Sequence, residues 1–81
     1  MYVTVRLFAR LRDIAGAEEL RREIPLGSTA QHLWETLVAE HNDLNPYSTN
    51  VSTAINEEYA KMDALLADGD EVAFLPPVSG G

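Results

Sequence analysis

Val3, Val5 and Leu7 alternate with Tyr2, Thr4, Arg6 and Phe8, a period of two that predicts a first strand with one buried face. Leu11, Ile14 and Ala15, set among Arg10, Arg12 and Asp13 and closed by Gly16, have the spacing of a short helical turn ended by a glycine cap. Leu20, Ile24 and Leu26 then share one parity and predict a second strand returning from the first. Arg22 falls on the same parity, which requires an edge position or a bulge. Ser28 with Gln31 forms a capping-box pattern, and behind it Ala30, Leu33, Trp34, Leu37 and Val38 recur at three and four residues. This predicts the main helix over residues 29–41, ending before Pro46, which disfavours helical geometry at Asn45. Residues 47–50 read as loop.

Val51, Thr53 and Ile55 alternate with Ser52, Ala54 and Asn56 as a short third strand, with Asn56 as a turn residue at its end. Glu57-Glu58-Tyr59 reads as an excursion from the sheet. Ala67-Asp68-Gly69-Asp70 is a turn signal, and Glu71-Val72-Ala73-Phe74-Leu75 is a last strand with Val72 and Phe74 inward. Pro76-Pro77 stops the ladder, since proline has no amide hydrogen to donate. The order β, β, α, β, β predicts an α+β domain: a mixed sheet covered on one face by one main helix. Trp34, Leu37 and Val38 are expected to pack on Val5, Leu7, Ile55, Val72 and Phe74. By parity Phe8, Ala73 and Leu75 point to the other face, where nothing in the chain covers them, and exposed apolar patches mark partner sites.

At 81 residues the chain is one small domain that buries only roughly 60–65 % of its unfolded surface, leaving little room for an enclosed substrate cavity. Its 46 % apolar and 23 % charged residues are those of an ordinary globular protein. There is no cysteine, hence no disulfide and no thiol nucleophile. The amino terminus enters a strand pattern without the marks of a signal peptide, and a cytoplasmic location is expected. The net charge of −7 argues against a nucleic-acid ligand, which needs clustered Lys and Arg, and no membrane association is expected. The charge is uneven: +1 over residues 1–26, −3 over 27–56 and −5 over 57–81, so a basic protein partner would be steered to the last third.

Few constellations carry chemistry. His32 and His41 stand nine apart with no ligand partner at metal spacing, and no metal is expected. Asp68, Asp70 and Glu71 show only the first half of a calcium-loop spacing and read as a solvated turn. Arg10 and Arg12 read as surface charges, with partner contact as a second possibility because Phe8 is beside them. The terminus differs. At the usual glycine frequency of roughly 7 %, a chain ends in Gly-Gly by chance about once in 200 cases. Pro76-Pro77 is a stiff spacer, and two residues without a β-carbon pass through a channel too narrow for any side chain. The Gly81 carboxylate becomes the group this chain can deliver into another protein's active site. Adenylation by ATP turns it into a mixed anhydride, which a sulfur nucleophile converts to a thiocarboxylate and an amine to an amide. The residues alone do not choose between these nucleophiles.

Residues 68–81, Asp-Gly-Asp-Glu-Val-Ala-Phe-Leu-Pro-Pro-Val-Ser-Gly-Gly, closely resemble the carboxy-terminal signature of the small, sulfur-carrying subunit of molybdopterin synthase. Residues 5–16, Val-Arg-Leu-Phe-Ala-Arg-Leu-Arg-Asp-Ile-Ala-Gly, are similar to that family's first strand and short helix, and Ala54-Ile55-Asn56 to its third strand. The resemblance implies a ubiquitin-like β-grasp fold, with first and last strands parallel at the centre of the sheet, over residues 1–76, and a flexible tail at 77–81. It implies that an E1-like adenylyltransferase uses ATP to adenylate Gly81 and that a sulfur donor protein converts it to the thiocarboxylate, the chain itself binding no cofactor. It further implies that the charged subunit inserts its tail into the large catalytic subunit, with two heterodimers forming a heterotetramer, and that sulfur passes there to cyclic pyranopterin monophosphate to build the dithiolene of the molybdenum cofactor.

On this resemblance Gly81 is the donor and Gly80 the threading residue, while Phe8, Arg12, Leu75, Pro76, Pro77, Val78 and Ser79 contact the partner. Leu75 departs from the family pattern, in which a second aromatic is common. Two other readings share the fold: a sulfur carrier for thiamine synthesis or tRNA thiolation, and a ubiquitin-like modifier joined through Gly81 to target lysines.

Overall fold

The computed structural model describes residues 1–77. Five strands and two α-helices follow in the order β1 (Tyr2–Leu7), α1 (Ala9–Ala15), β2 (Glu19–Glu23), α2 (Ala30–Glu40), β3 (Ser52–Ile55), β4 (Glu58–Ala60) and β5 (Glu71–Leu75), with a 3-10 helix at Asn42–Tyr47. The sheet runs β2-β1-β5-β3-β4. β1 and β5 are parallel and adjacent, pairing Val5 with Val72 and Leu7 with Phe74, and the other ladders are antiparallel. α2 covers one face. This is the mixed-sheet, ubiquitin-like β-grasp arrangement that the sequence implied.

Burial explains the arrangement. Val3, Val5, Leu7, Val72 and Phe74 are fully buried on the helix side of the two central strands, against Leu33, Trp34 and Leu37 of α2. The Trp34 and Phe74 rings meet at 5.2 Å between centroids, tilted by 56°, within the contact distance of favourable aromatic pairs. Trp34 Nε1 donates to Ser48 Oγ at 2.9 Å, so the one polar atom of this ring is satisfied. Leu11 of α1 closes the top of the core, and Gly16 ends that helix in the left-handed region at φ 76°. Thr53, the buried polar residue of β3, donates its hydroxyl to the Ala73 carbonyl at 3.0 Å.

Four expectations are corrected. The residue capping α2 is Thr29, whose hydroxyl accepts from the His32 amide at 3.1 Å; Ser28 Oγ instead donates to the Pro25 carbonyl at 2.7 Å, and Gln31 reaches Glu35. β2 ends at Glu23, so Ile24 is buried beyond the strand while Leu26, in a turn, is 83 % exposed. The polar stretch after α2 is a 3-10 helix around Pro46 that buries Leu44. Glu58–Ala60 is not an excursion but the edge strand β4, joined to β3 by Asn56 and Glu57, both at positive φ (52° and 72°). Two successive left-handed residues are the geometry of a two-residue hairpin turn whose twist matches the strands.

Arg22 sits on the edge strand β2, as its parity required. Its side chain crosses to the end of α2 and binds Glu40 through two hydrogen bonds, Nη2 to Oε1 at 2.7 Å and Nε to Oε2 at 3.2 Å. That fork-to-fork pairing ties the edge of the sheet to the helix end.

Candidate functional site: the open face of the sheet

The face opposite α2 is uncovered. Along it the pairing registers align Tyr59, Ala54, Ala73 and Arg6 in one row across four strands. The two alanines at the centre are the floor of an open groove of about 420 Å³, walled by Phe8 and Leu75 at one end and by Tyr59, Glu57, Glu71 and Arg6 around the rest. Small side chains at paired central positions make the depression, because taller residues on both flanks then stand above them. Phe8 is 39 % exposed and Tyr59 80 %.

The electrostatics of the groove are mixed. The Arg6 guanidinium lies 5.8 Å from the Phe8 ring centroid and 3.9 Å from the Glu71 carboxylate, so it braces the ring and offsets one acid of the rim. Both ends of that ion pair are about 40 % exposed, which makes it a weak contributor to stability and an available contact for a partner.

Phe8 and Leu75 are brought together because Leu7 pairs with Phe74, which leaves the next residue of each strand at the same end of the sheet. Phe8 itself lies one residue past β1, as the extended residue before α1. The Arg12 amide, one turn further on, points at the Phe8 carbonyl at 3.4 Å; the Arg12 side chain is exposed beside Asp13 and outside the groove lining. Pro76 is half-buried and Pro77 exposed where the chain leaves β5. Val78, Ser79, Gly80 and Gly81 lie outside the described residues.

Five groove residues escaped the sequence reading: Arg6, Ala54, Glu57, Tyr59 and Glu71. The signal for Tyr59 was an aromatic within three residues of a turn-forming Asn56, which becomes meaningful once β4 is recognised as a strand. Asp68 and Asp70, the half calcium loop, are occupied otherwise. Asp68 Oδ1 accepts from the Tyr2 amide at 2.7 Å, and Asp70 accepts from the Ala67 amide and from Asn56 Nδ2. Among the described residues no group of three or more His, Cys, Asp or Glu is placed to hold a metal ion, and no helix is long and apolar enough to cross a membrane. A second depression, of about 490 Å³, is lined by Tyr2, Thr4, Glu19, Arg21 and Asp68 near the start of β1. It lies at the opposite end of the sheet from Leu75 and carries no reactive cluster.

Residues 5–81 match the ThiS family. The chain belongs to that family. It is 39 % identical over 79 residues to the molybdopterin synthase sulfur carrier subunit of Arabidopsis thaliana, covering 98 % of this chain and 82 % of that protein. Among solved structures it resembles SAMP1 from Haloferax volcanii, with a TM-score of 0.84, 30 % identity and full coverage of both chains. It also resembles a chain of the complex of subunits 1 and 2 of the molybdopterin-converting factor from Helicobacter pylori, with a TM-score of 0.68, 26 % identity and full coverage of both chains. The ThiS-family membership and these relatives agree with the resemblance that the tail and first-strand blocks carried.

Proposed function

We propose that this protein is the sulfur carrier subunit of a molybdopterin synthase, holding sulfur as a thiocarboxylate on Gly81. The observation that carries this reading is the open groove ending at Leu75 and Phe8, where β5 hands the chain to Pro76-Pro77 and the Gly-Gly terminus. A partner seated on the groove receives the tail directly. The sulfur carrier relative from Arabidopsis thaliana and the two-subunit complex from Helicobacter pylori support the same assignment.

In this account the large catalytic subunit packs on Phe8, Leu75 and Tyr59, with Arg12, Pro76, Pro77, Val78 and Ser79 along the path of the tail, and two heterodimers form the heterotetramer. An E1-like adenylyltransferase first spends ATP to join the Gly81 carboxylate to AMP. A sulfur donor protein then supplies the sulfur that displaces AMP and leaves the thiocarboxylate. Inside the large subunit that sulfur attacks cyclic pyranopterin monophosphate, and two rounds make the dithiolene. Gly80 threads the channel because it has no side chain to exclude. This chain holds no cofactor of its own; its part is to position and release one sulfur atom.

Deleting Gly81 in a reconstituted reaction of carrier, large subunit and pterin precursor is expected to abolish dithiolene formation with the melting temperature unchanged. Retained turnover would sink the donor role. A second reading, a ubiquitin-like modifier that acylates lysines of other proteins, draws on the full-length likeness to SAMP1. It predicts Gly81-linked conjugates in cells, and the same deletion removes those instead.

A further inference from the structure

β2 (Glu19–Glu23) is an outer strand of the sheet, and among the described residues its outer side pairs with no other strand. The bonds to β1 show which of its residues face outward. The Glu18 carbonyl accepts from the Leu7 amide at 2.9 Å, and Met1 and Ile24 exchange two bonds, each of 2.8 Å. Bonding alternates along an antiparallel ladder. The even residues Glu18, Leu20, Arg22 and Ile24 therefore bond to β1, and Glu19, Arg21 and Glu23 turn their N–H and C=O groups away from the sheet. The Arg21 carbonyl accepts from Arg22 Nη1 at 3.0 Å and keeps a second lone pair for an amide. An edge of this kind templates another strand unless its side chains forbid it.

The side chains permit one pairing with a second copy. Two copies joined antiparallel through β2 are related by a two-fold axis at one strand residue, which then faces itself. At Glu19, Arg21, Arg22 or Glu23 the axis sets a charge against its own copy. Leu20 is the uncharged residue of the strand, and it is only half-buried. With the axis there, Glu19 faces Arg21 of the second copy on one side and Arg21 faces Glu19 on the other, opposite charges both times. Glu18 comes opposite Arg22, and the two leucines meet as a close, non-hydrogen-bonded pair. Glu19 and Arg21 are also residues whose backbone groups point outward, so the same register satisfies those groups. Both side chains are exposed, and neither takes part in an ion pair among the described residues. The charge distribution agrees: residues 1–26, which carry both strands at this edge, sum to +1 in a chain of −7, and Glu57 and Glu58 lie at the opposite edge.

We infer that β2 is a self-association edge, on which a second copy of this chain pairs antiparallel about Leu20 and joins the two sheets into one. A two-fold axis normal to the sheet keeps both open faces on the same side, so Phe8, Tyr59 and Leu75 stay accessible on each copy. One strand pair covers less than the ~1,200 Å² of stable complexes, so the dimer is weak and fills only at high concentration. The inference involves neither Gly81 nor the large subunit and is independent of the function proposed above.

Sedimentation equilibrium of the full chain from about 20 μM to about 1 mM tests it, with amide NMR shifts over the same range locating the contact. A monomer–dimer equilibrium is expected, with concentration-dependent shifts at residues 18–22. Arg21→Glu sets like charges together on both sides of the axis and is expected to weaken the dimer about tenfold. Adding Glu19→Arg to that change restores it to within about threefold of the parent. Loss with the single change and recovery with the double distinguish this register from those about Arg21 and Arg22. Lys61→Glu, which alters the net charge equally at the far edge, leaves the dimer unchanged. The inference is overturned by a monomer throughout the range, by a folded Arg21→Glu chain that dimerises as tightly as the parent, or by a double variant that does not recover. Shifts centred on Phe8, Tyr59 and Leu75 overturn it too, since they put the second copy on the open face; that readout needs only the unaltered chain.

Discussion

Tyr59→Thr separates partner binding from folding more cleanly than any other groove substitution. Threonine, being β-branched, favours a strand as the aromatic tyrosine does, and the tyrosine side chain it replaces is 80 % exposed, so the folded state loses little. A tyrosine buries roughly 200 Å² when fully covered, which leaves about 160 Å² for a partner to cover. At ~25 cal/mol/Å² that is a ceiling of ~4 kcal/mol. Ordering the ring and desolvating its hydroxyl reduce the gain, and about 2 kcal/mol is the expected loss on truncation. That is a dissociation constant weakened about 30-fold. Titration calorimetry against the large synthase subunit reads it, with Leu65→Ala as the control. Leu65 is 72 % exposed but does not line the groove, so its truncation leaves affinity unchanged. The melting temperature of Tyr59→Thr is expected within about 4 °C of the parent. A folded Tyr59→Thr protein that binds within about threefold of the parent would refute the groove as the docking surface.

Three further outcomes follow from the same structure. Glu57→Gly removes a left-handed side-chain residue at φ 72° from the β3–β4 turn, and a gain of about 0.5–1 kcal/mol is expected in urea denaturation; a loss would mean the turn is not strained. Trp34→Phe forfeits the hydrogen bond to Ser48 and leaves a void beside Phe74, for an expected cost of about 2–3 kcal/mol in the same assay, and a cost below about 1 kcal/mol would contradict the packing described. The hydrogen bonds from Arg22 hold the Glu40 carboxyl below its ordinary value of 4.5, against an opposing effect of burial and with the charges of Arg22 and His41 adding to the lowering. A carboxyl lowered in the folded state stabilises above its unfolded pKa, and that contribution is lost as pH falls through the folded value. The stability gap between the parent and Arg22→Gln is therefore constant above pH 4.5 and shrinks on further acidification; a gap that widens there has the wrong sign.

The parts legible in the sequence were those where burial imposes a period. β5 was readable to the residue because Val72 and Phe74 must face the core and the Asp68-Gly69 turn and Pro76 bracket them. β1 and the Gly16 stop were readable for the same reason. β4 was not, since a three-residue edge strand, Glu58-Tyr59-Ala60, buries none of its residues fully and has no pattern long enough to show a period. Its turn gave no glycine signal either, because Asn56 and Glu57 adopt positive φ without one. Leu26 kept the strand parity by coincidence after the chain had left the sheet. The cap of α2 depended on which of two adjacent hydroxyls, Ser28 or Thr29, the Pro25 turn would claim. Of the eight groove residues, Phe8, Ala73 and Leu75 followed from parity alone. Tyr59 opposite Ala54 needed the register of β4 on β3.

The central claim is that Gly81 carries sulfur, and the intact mass of the protein isolated from its own cells tests it most directly. The account predicts a species in which one oxygen of the terminal carboxylate is replaced by sulfur, lost when Gly81 is deleted and discharged when large subunit and pterin precursor are added. A terminus found only as the free carboxylate, or only in amide linkage to lysines of other proteins, would contradict it.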